Sequence, residues 1–229
     1  MKFSLTRRLC AEFVGTAFLL MAVVGSGIMG DRLAGGNLAI ALLANSIATG
    51  AGLVTLILTF GSVSGAHFNP VVSVADALSG GIARPDILPY CLVQVAGGLV
   101  GTISSHVMFG LPTVTLSRHV RSGPAQFYAE IVATFGLIAV ISAASKLRPT
   151  AAPLSVGAYI AGAYWFTSST SFANPAVTVA RCITDTFAGI RPHDVPAFVL
   201  AQILGASAAF FVFRWMIPSP ISAESGASQ

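Results

Sequence analysis

The chain has 229 residues, 55% of them hydrophobic and only 9% charged, with a mean hydropathy of +0.82. A soluble domain carries roughly 25% charged residues, so the composition excludes an ordinary soluble enzyme and predicts one integral membrane domain. The net charge of +4 rests on 12 basic residues set mostly at the ends of apolar segments, where they report topology, and no basic-aromatic patch suited to nucleic acid accompanies them.

The N-terminus has the outline of a signal peptide, with Lys2, Arg7 and Arg8 ahead of an apolar run. Glu12 interrupts that run and no small-x-small cleavage site follows, so the segment is read as an uncleaved first span. Apolar runs of spanning character cover roughly 9–30, 37–60, 86–109, 125–146, 151–167 and 196–216, the fifth of them short. From Pro218 the tail is polar and rich in Pro and Ser, which predicts disorder over 218–229 behind a single transmembrane domain over 1–217. Cys10, Cys91 and Cys182 are odd in number and scattered, and read as small buried hydrophobes instead of disulfide partners or metal ligands. Motifs for nucleotide binding, metal catalysis or nucleophilic chemistry are absent, so neither an enzyme nor a cofactor is expected.

Two Asn-Pro pairs follow the second and fifth spans. Asn69-Pro70-Val71-Val72-Ser73-Val74-Ala75 aligns without a gap on Asn174-Pro175-Ala176-Val177-Thr178-Val179-Ala180. Asn is a good N-cap and Pro suits the first helical position, so each motif starts a helix. Each opens an apolar stretch too short to cross a bilayer, which predicts two re-entrant half-helices. Irregular backbone at membrane depth is tolerated only where it is buried in protein or lines a water-filled cavity. The pair therefore points to a pore.

Two more correspondences indicate duplication. Ala11-Glu12-Phe13-Val14-Gly15-Thr16 resembles Ala129-Glu130-Ile131-Val132-Ala133-Thr134, and Gln94-Val95-Ala96-Gly97-Gly98 resembles Gln202-Ile203-Leu204-Gly205-Ala206. The halves run over about 1–110 and 124–217, each with three crossings and a half-helix, so the second copy must be inverted relative to the first. With the N-terminus inside, Lys2, Arg7, Arg8, Arg84, Lys146, Arg148 and Arg214 are cytoplasmic, against Arg32, Arg118, Arg121, Arg181 and Arg191 outside. This bias favours cytoplasmic termini.

In such an arrangement the half-helix N-termini meet near the midplane, where their dipoles oppose cation passage. Asn69 and Asn174 present side-chain amides there, able to donate to a water or hydroxyl oxygen. Glu12 and Glu130 occupy matching places in the first span of each half. A carboxylate in hydrocarbon must face the bundle and hold a partner, and repeat symmetry favours a scaffold role over proton relay. His67 is the expected side-chain partner of one of them; no second ligand at suitable spacing supports a metal site. Glycines such as Gly97, Gly98, Gly157 and Gly205 are assigned to close helix packing.

These residues resemble the aquaporin, or major intrinsic protein, family over the chain through about Met216. The resemblance rests on the Ala-Glu-Phe-Val-Gly-Thr opening, Ser64-Gly65-Ala66-His67-Phe68-Asn69-Pro70, Gln94, Glu130 and Asn174-Pro175-Ala176. It implies an all-α bundle of six transmembrane helices and two half-helices, one pore per subunit, assembled as a homotetramer. It also implies an outer constriction of four side chains, placed by ungapped offsets at Thr49, Gly162, Ser171 and Val177. Water-selective members usually carry Phe, His, a small residue and Arg there, and glycerol-conducting members bulky aromatics and the same Arg. With neither aromatic nor Arg among the four, the mouth is expected to be wide and uncharged, and Arg181, one turn beyond Val177, to be a solvated outer-end charge. Thr178 stands where glycerol facilitators commonly have Asp, the connector over 109–123 is short as in water channels, and Val71 replaces the usual Ala.

The expected function is a passive inner-membrane channel for small uncharged solutes larger than water: polyols, urea or trihydroxy arsenite. The resemblance is nearest to bacterial members associated with arsenic resistance. A water-selective channel is the first alternative, a proton-coupled transporter using Glu12 and Glu130 a second, and a non-conducting scaffold of the same fold a third.

Overall fold

The computed structural model describes residues 3–217; the expected disordered tail, 218–229, lies outside them. Eight helices and no strand are present among the described residues. The first, α1, runs over Leu5–Leu33 as one 29-residue rod, and α2 spans Leu38–Ser64. The half-helix α3 (Pro70–Leu78) follows, then α4 (Ile87–Met108). The second half repeats the order with α5 (Pro124–Leu147), α6 (Ala152–Phe166), the half-helix α7 (Pro175–Ala180) and α8 (Val195–Met216). A helix therefore covers each of the six predicted runs, five of them long and apolar enough to cross a membrane, and both half-helices are present.

Local chemistry accounts for the ends. Asn37 caps α2 by accepting from the N–H groups of Ala39 and Ile40, and Gly65, at φ 95°, ends it in the left-handed conformation that glycine tolerates. Helix α6, at 15 residues, rises only about 22 Å and is extended by a 3₁₀ turn over Pro149–Ala151. A π turn in α1 at Met21–Gly25 has no sequence signal. Asn45 of α2 occupies the disturbed ladder there, its Nδ2 donating to the Val23 carbonyl and to Ser26 Oγ, each at 2.8 Å.

Packing follows the repeat. Helix α1 lies on α4, α5 on α8, and α2 on α6. A Cβ on Gly97 would stand 2.3 Å from the Phe13 carbonyl oxygen, and one on Gly205 2.3 Å from that of Ile131. Phe13 and Ile131 directly follow the two glutamates, so the same contact is built twice. Where α2 crosses α6, Gly50 and Gly157 each face the other's carbonyl. Lipid removes the hydrophobic drive between helices, so such close approach is what holds them together. Gly205→Leu is accordingly expected to destabilise the fold by about 3 kcal/mol, the upper end for overpacking. Gly61→Leu, where a Cβ would meet nothing within 4 Å, should be near neutral; thermal midpoints by size-exclusion chromatography of the purified proteins distinguish the two.

The outer surface is apolar, with Leu58, Leu92, Phe211 and Trp215 exposed as lipid-facing helices require. For the same reason Cys10 is exposed and not buried as expected, while Cys91 and Cys182 are half-buried and all three thiols are free; hydrocarbon does not penalise an outward Cys.

Candidate functional site: a pore between the half-helices

The segments entering the half-helices take a conformation that side chains rarely adopt. Ala66 and Phe68 have φ of 51° and 49°, and their repeat mates Ser171 and Ala173 have 52° and 48°. Each left-handed residue costs roughly 1–2 kcal/mol, so something must hold it. The glutamates do. Glu12 accepts from the backbone N–H groups of His67 at 3.0 Å and Phe68 at 2.7 Å, and Glu130 from those of Phe172 and Ala173, both at 2.9 Å. Gln94 Nε2 donates to Glu12 at 2.8 Å and to Ser73 Oγ at 2.9 Å. Gln202 does the same to Glu130 at 2.6 Å and Thr178 Oγ1 at 2.8 Å. Ser64 Oγ adds a fourth donor to Glu12 at 2.6 Å.

His67 differs from its expected role. Its backbone, not its ring, meets Glu12; the ring places Nδ1 3.1 Å from Ser73 Oγ and Nε2 3.6 Å from Asp76. With four donors already around Glu12, no site is left for an imidazole.

The two Asn side chains cross the pseudo-two-fold axis. Asn69 Nδ2 donates to the Ala173 carbonyl and Asn174 Nδ2 to the Phe68 carbonyl, each at 2.8 Å. Each Oδ1 meanwhile caps its own helix, at Val71 N–H and at Ala176 N–H. An amide nitrogen has two protons, so one on each Asn is left for the cavity that both residues line. Val71 is buried in the core behind α3 and does not line that cavity.

The cavity has a volume of about 940 Å³ and runs from Lys146 and Arg214 past the Asn pair to Tyr164 and Arg181. Thr49, Ser171 and Val177 line it as expected, but Gly162 does not. Gly162 is exposed, and a Cβ there would meet nothing within 4 Å. The pore face of α6 is the stripe Ala152, Val156, Ile160 and Tyr164, spaced at four residues, and Gly162 falls on the opposite side. Tyr164 takes its place, with its OH 3.3 Å from Thr49 Oγ1. The helical stripe was legible in the sequence; counting back from Asn174 missed it because the non-helical segment over 167–173 breaks the register.

The mouth is also not uncharged. Arg181, expected in solvent, is 2% exposed and lines the cavity. Its guanidinium lies 3.4 Å from the Phe172 ring centroid, and its Nε donates to the Ala188 carbonyl. Residues after α7 turn back and bring that carbonyl over it, an event with no local sequence signal. Arg121 is drawn in as well, donating from Nε to the Gly189 carbonyl at 2.8 Å and sitting 5.0 Å from Phe172. Burial pushes the Arg121 pKa below its ordinary value, with Glu130 and Tyr164 acting the other way.

The Major intrinsic protein family model matches residues 1–173. The chain belongs to this family. Over 94% of its length it is 54% identical to Aquaglyceroporin AqpS of Rhizobium meliloti (strain 1021), covering 92% of that protein. It is 28% identical to Aquaporin Z of Bradyrhizobium diazoefficiens over 96% of this chain and 98% of the relative. The X-ray structure of the aquaglyceroporin from Plasmodium falciparum superposes with a TM-score of 0.71, covering 95% of this chain and 98% of that one at 21% identity, which establishes a shared fold. Major intrinsic proteins are multi-pass membrane channels and not enzymes, in keeping with the membrane and channel readings of the sequence.

Proposed function

We propose that this major intrinsic protein is an aquaglyceroporin-like channel for small neutral hydroxylated solutes, among them glycerol-class polyols and trihydroxy arsenite. The observation that carries the reading is the mixed lining of the cavity. Aliphatic side chains including Leu53, Val72, Val156 and Ile160 line it together with the amides of Asn69 and Asn174 and with Thr49. A polyol presents carbon and hydroxyl edges that such a lining can meet. The name of the relative at 54% identity supports the same class.

In this reading Asn69 and Asn174 form the midplane station, and Thr49, Tyr164, Ser171 and Val177 the outer constriction. Glu12 and Glu130 are scaffold groups, and His67 lines the inner half. Four copies assemble in the inner membrane with both termini cytoplasmic, each a single domain over 1–217. Stopped-flow shrinkage and uptake in proteoliposomes, with water, glycerol, urea and arsenite, tests the function. Glycerol and arsenite should pass well above bare vesicles; water alone passing supports a water channel, and uphill uptake that an uncoupler collapses supports a proton-coupled transporter.

Thr49 provides a sharper check. It is buried at the mouth against Tyr164, so Thr49→Phe places a ring in the opening that Tyr164 already narrows. Arsenite and glycerol flux should fall by about tenfold or more, a barrier increase of only ~1.4 kcal/mol, while water flux falls far less. Equal losses for all three solutes would place Thr49 outside the constriction.

A further inference from the structure

We infer that Arg181 is the cation barrier and hydroxyl-orienting residue of this pore, keeping it closed to protons and metal cations although Val177 leaves the mouth without an arginine at the family's usual position. The inference rests on the solute reading above and adds to it the residue that sets charge selectivity. Arg181 is almost wholly buried, yet it has no ion pair among the described residues. Of its three nitrogens, Nε alone is held among the described residues, by the Ala188 carbonyl. Among the described residues the two terminal nitrogens have no protein acceptor, and they are not among the enclosed unpartnered atoms, so they open on the cavity that the residue lines.

A buried guanidinium without a carboxylate is expensive unless water or solute solvates it. Its cost is therefore met on the pore side, which is where a permeating molecule would find five fixed donors less one. Ser171 lies in the same lining, 3% exposed, but its Oγ is enclosed and has no hydrogen-bond partner among the described residues, which leaves Arg181 as the donor that meets the lumen. A solute with two or three hydroxyls would accept from the terminal nitrogens of Arg181, and the Phe172 ring and Val177 give its carbon edge an apolar wall. A cation meets a full positive charge in a low-dielectric mouth.

The arginine is also well fixed. The Ile190 N–H donates to the Arg181 carbonyl at 3.3 Å. His106 of α4 holds the neighbouring Thr184 hydroxyl at 2.7 Å, and the connector pairs with the same turn through Thr115 N–H to Ile183 and Ser117 N–H to Cys182.

The test uses proteoliposomes loaded with a pH-sensitive dye, with a potassium diffusion potential imposed to drive protons or sodium, and glycerol flux measured on the same preparation. Wild type should leak protons no faster than bare vesicles. Arg181→Ala should raise proton and sodium leak by about tenfold or more and raise glycerol flux through the widened mouth. Arg181→Lys should stay tight, and Val177→Arg combined with Arg181→Ala should regain tightness with the charge moved back one turn. If Arg181→Ala assembles poorly, Arg181→Gln removes the charge while keeping donors, and the same leak is expected. A leaky wild type, or a neutral variant that passes glycerol and stays tight, overturns the assignment of the barrier to Arg181. A wild type that passes neither glycerol nor arsenite overturns the solute reading instead.

Discussion

Glu130→Gln is expected to remove most of the folded channel while the remainder keeps its preference among solutes. Both oxygens of Glu130 accept, from Phe172 N–H, Ala173 N–H and Gln202. A glutamine has one acceptor oxygen and one donor NH₂, so in either orientation an N–H faces another N–H. Each buried donor left unsatisfied costs about 1–3 kcal/mol, and the left-handed backbone at Ala173 loses the contact that holds it. Glu12→Gln should be at least as damaging, because four donors converge there. Folded yield and thermal midpoint measure the loss, and flux per folded protein measures the pore. A well-folded Glu130→Gln protein with normal passive flux that had lost uncoupler-sensitive uptake would move the assignment to proton coupling.

Val177→Arg is expected to cut arsenite and glycerol flux by about 10²-fold, some 2.7 kcal/mol of barrier, and water flux by much less. Val177 is buried, lines the mouth, and stands one helical turn before Arg181. The new guanidinium would fill the opening and lie close to a like charge, which draws it away from Arg181 and into the lumen. Combined with Thr49→Phe the loss should be less than additive, since either change closes the same opening and contacting residues commonly couple. Strictly additive losses would mean two separate barriers, and equal losses for water and arsenite would place Val177 off the lining.

What could be read from the chain before folding was whatever is periodic or repeated. Spans are runs of apolar residues as long as a bilayer is thick, and the half-helices announce themselves through Asn-Pro starts, because capping and the proline ring act over one turn. Glu12 matches Glu130 and Gln94 matches Gln202 as repeat positions because a duplicated sequence builds a duplicated contact, whereas the contact of each glutamine with its glutamate has no signal in the sequence. The mouth was less legible. The offset to Gly162 runs through a segment whose backbone is irregular, where linear distance no longer reports direction, and Tyr164 lines the pore because α6 fixes its phase. The sequence suggests the His67 ring as a partner of Glu12, but the backbone N–H makes the contact, a choice that backbone dihedrals make. Arg181 is buried only because residues about seven positions later fold back to offer the Ala188 carbonyl and a ring from the opposite side of the motif packs on it. Such contacts join segments with no local constraint between them, so the charge of this pore's mouth is a property of how the loops close over it.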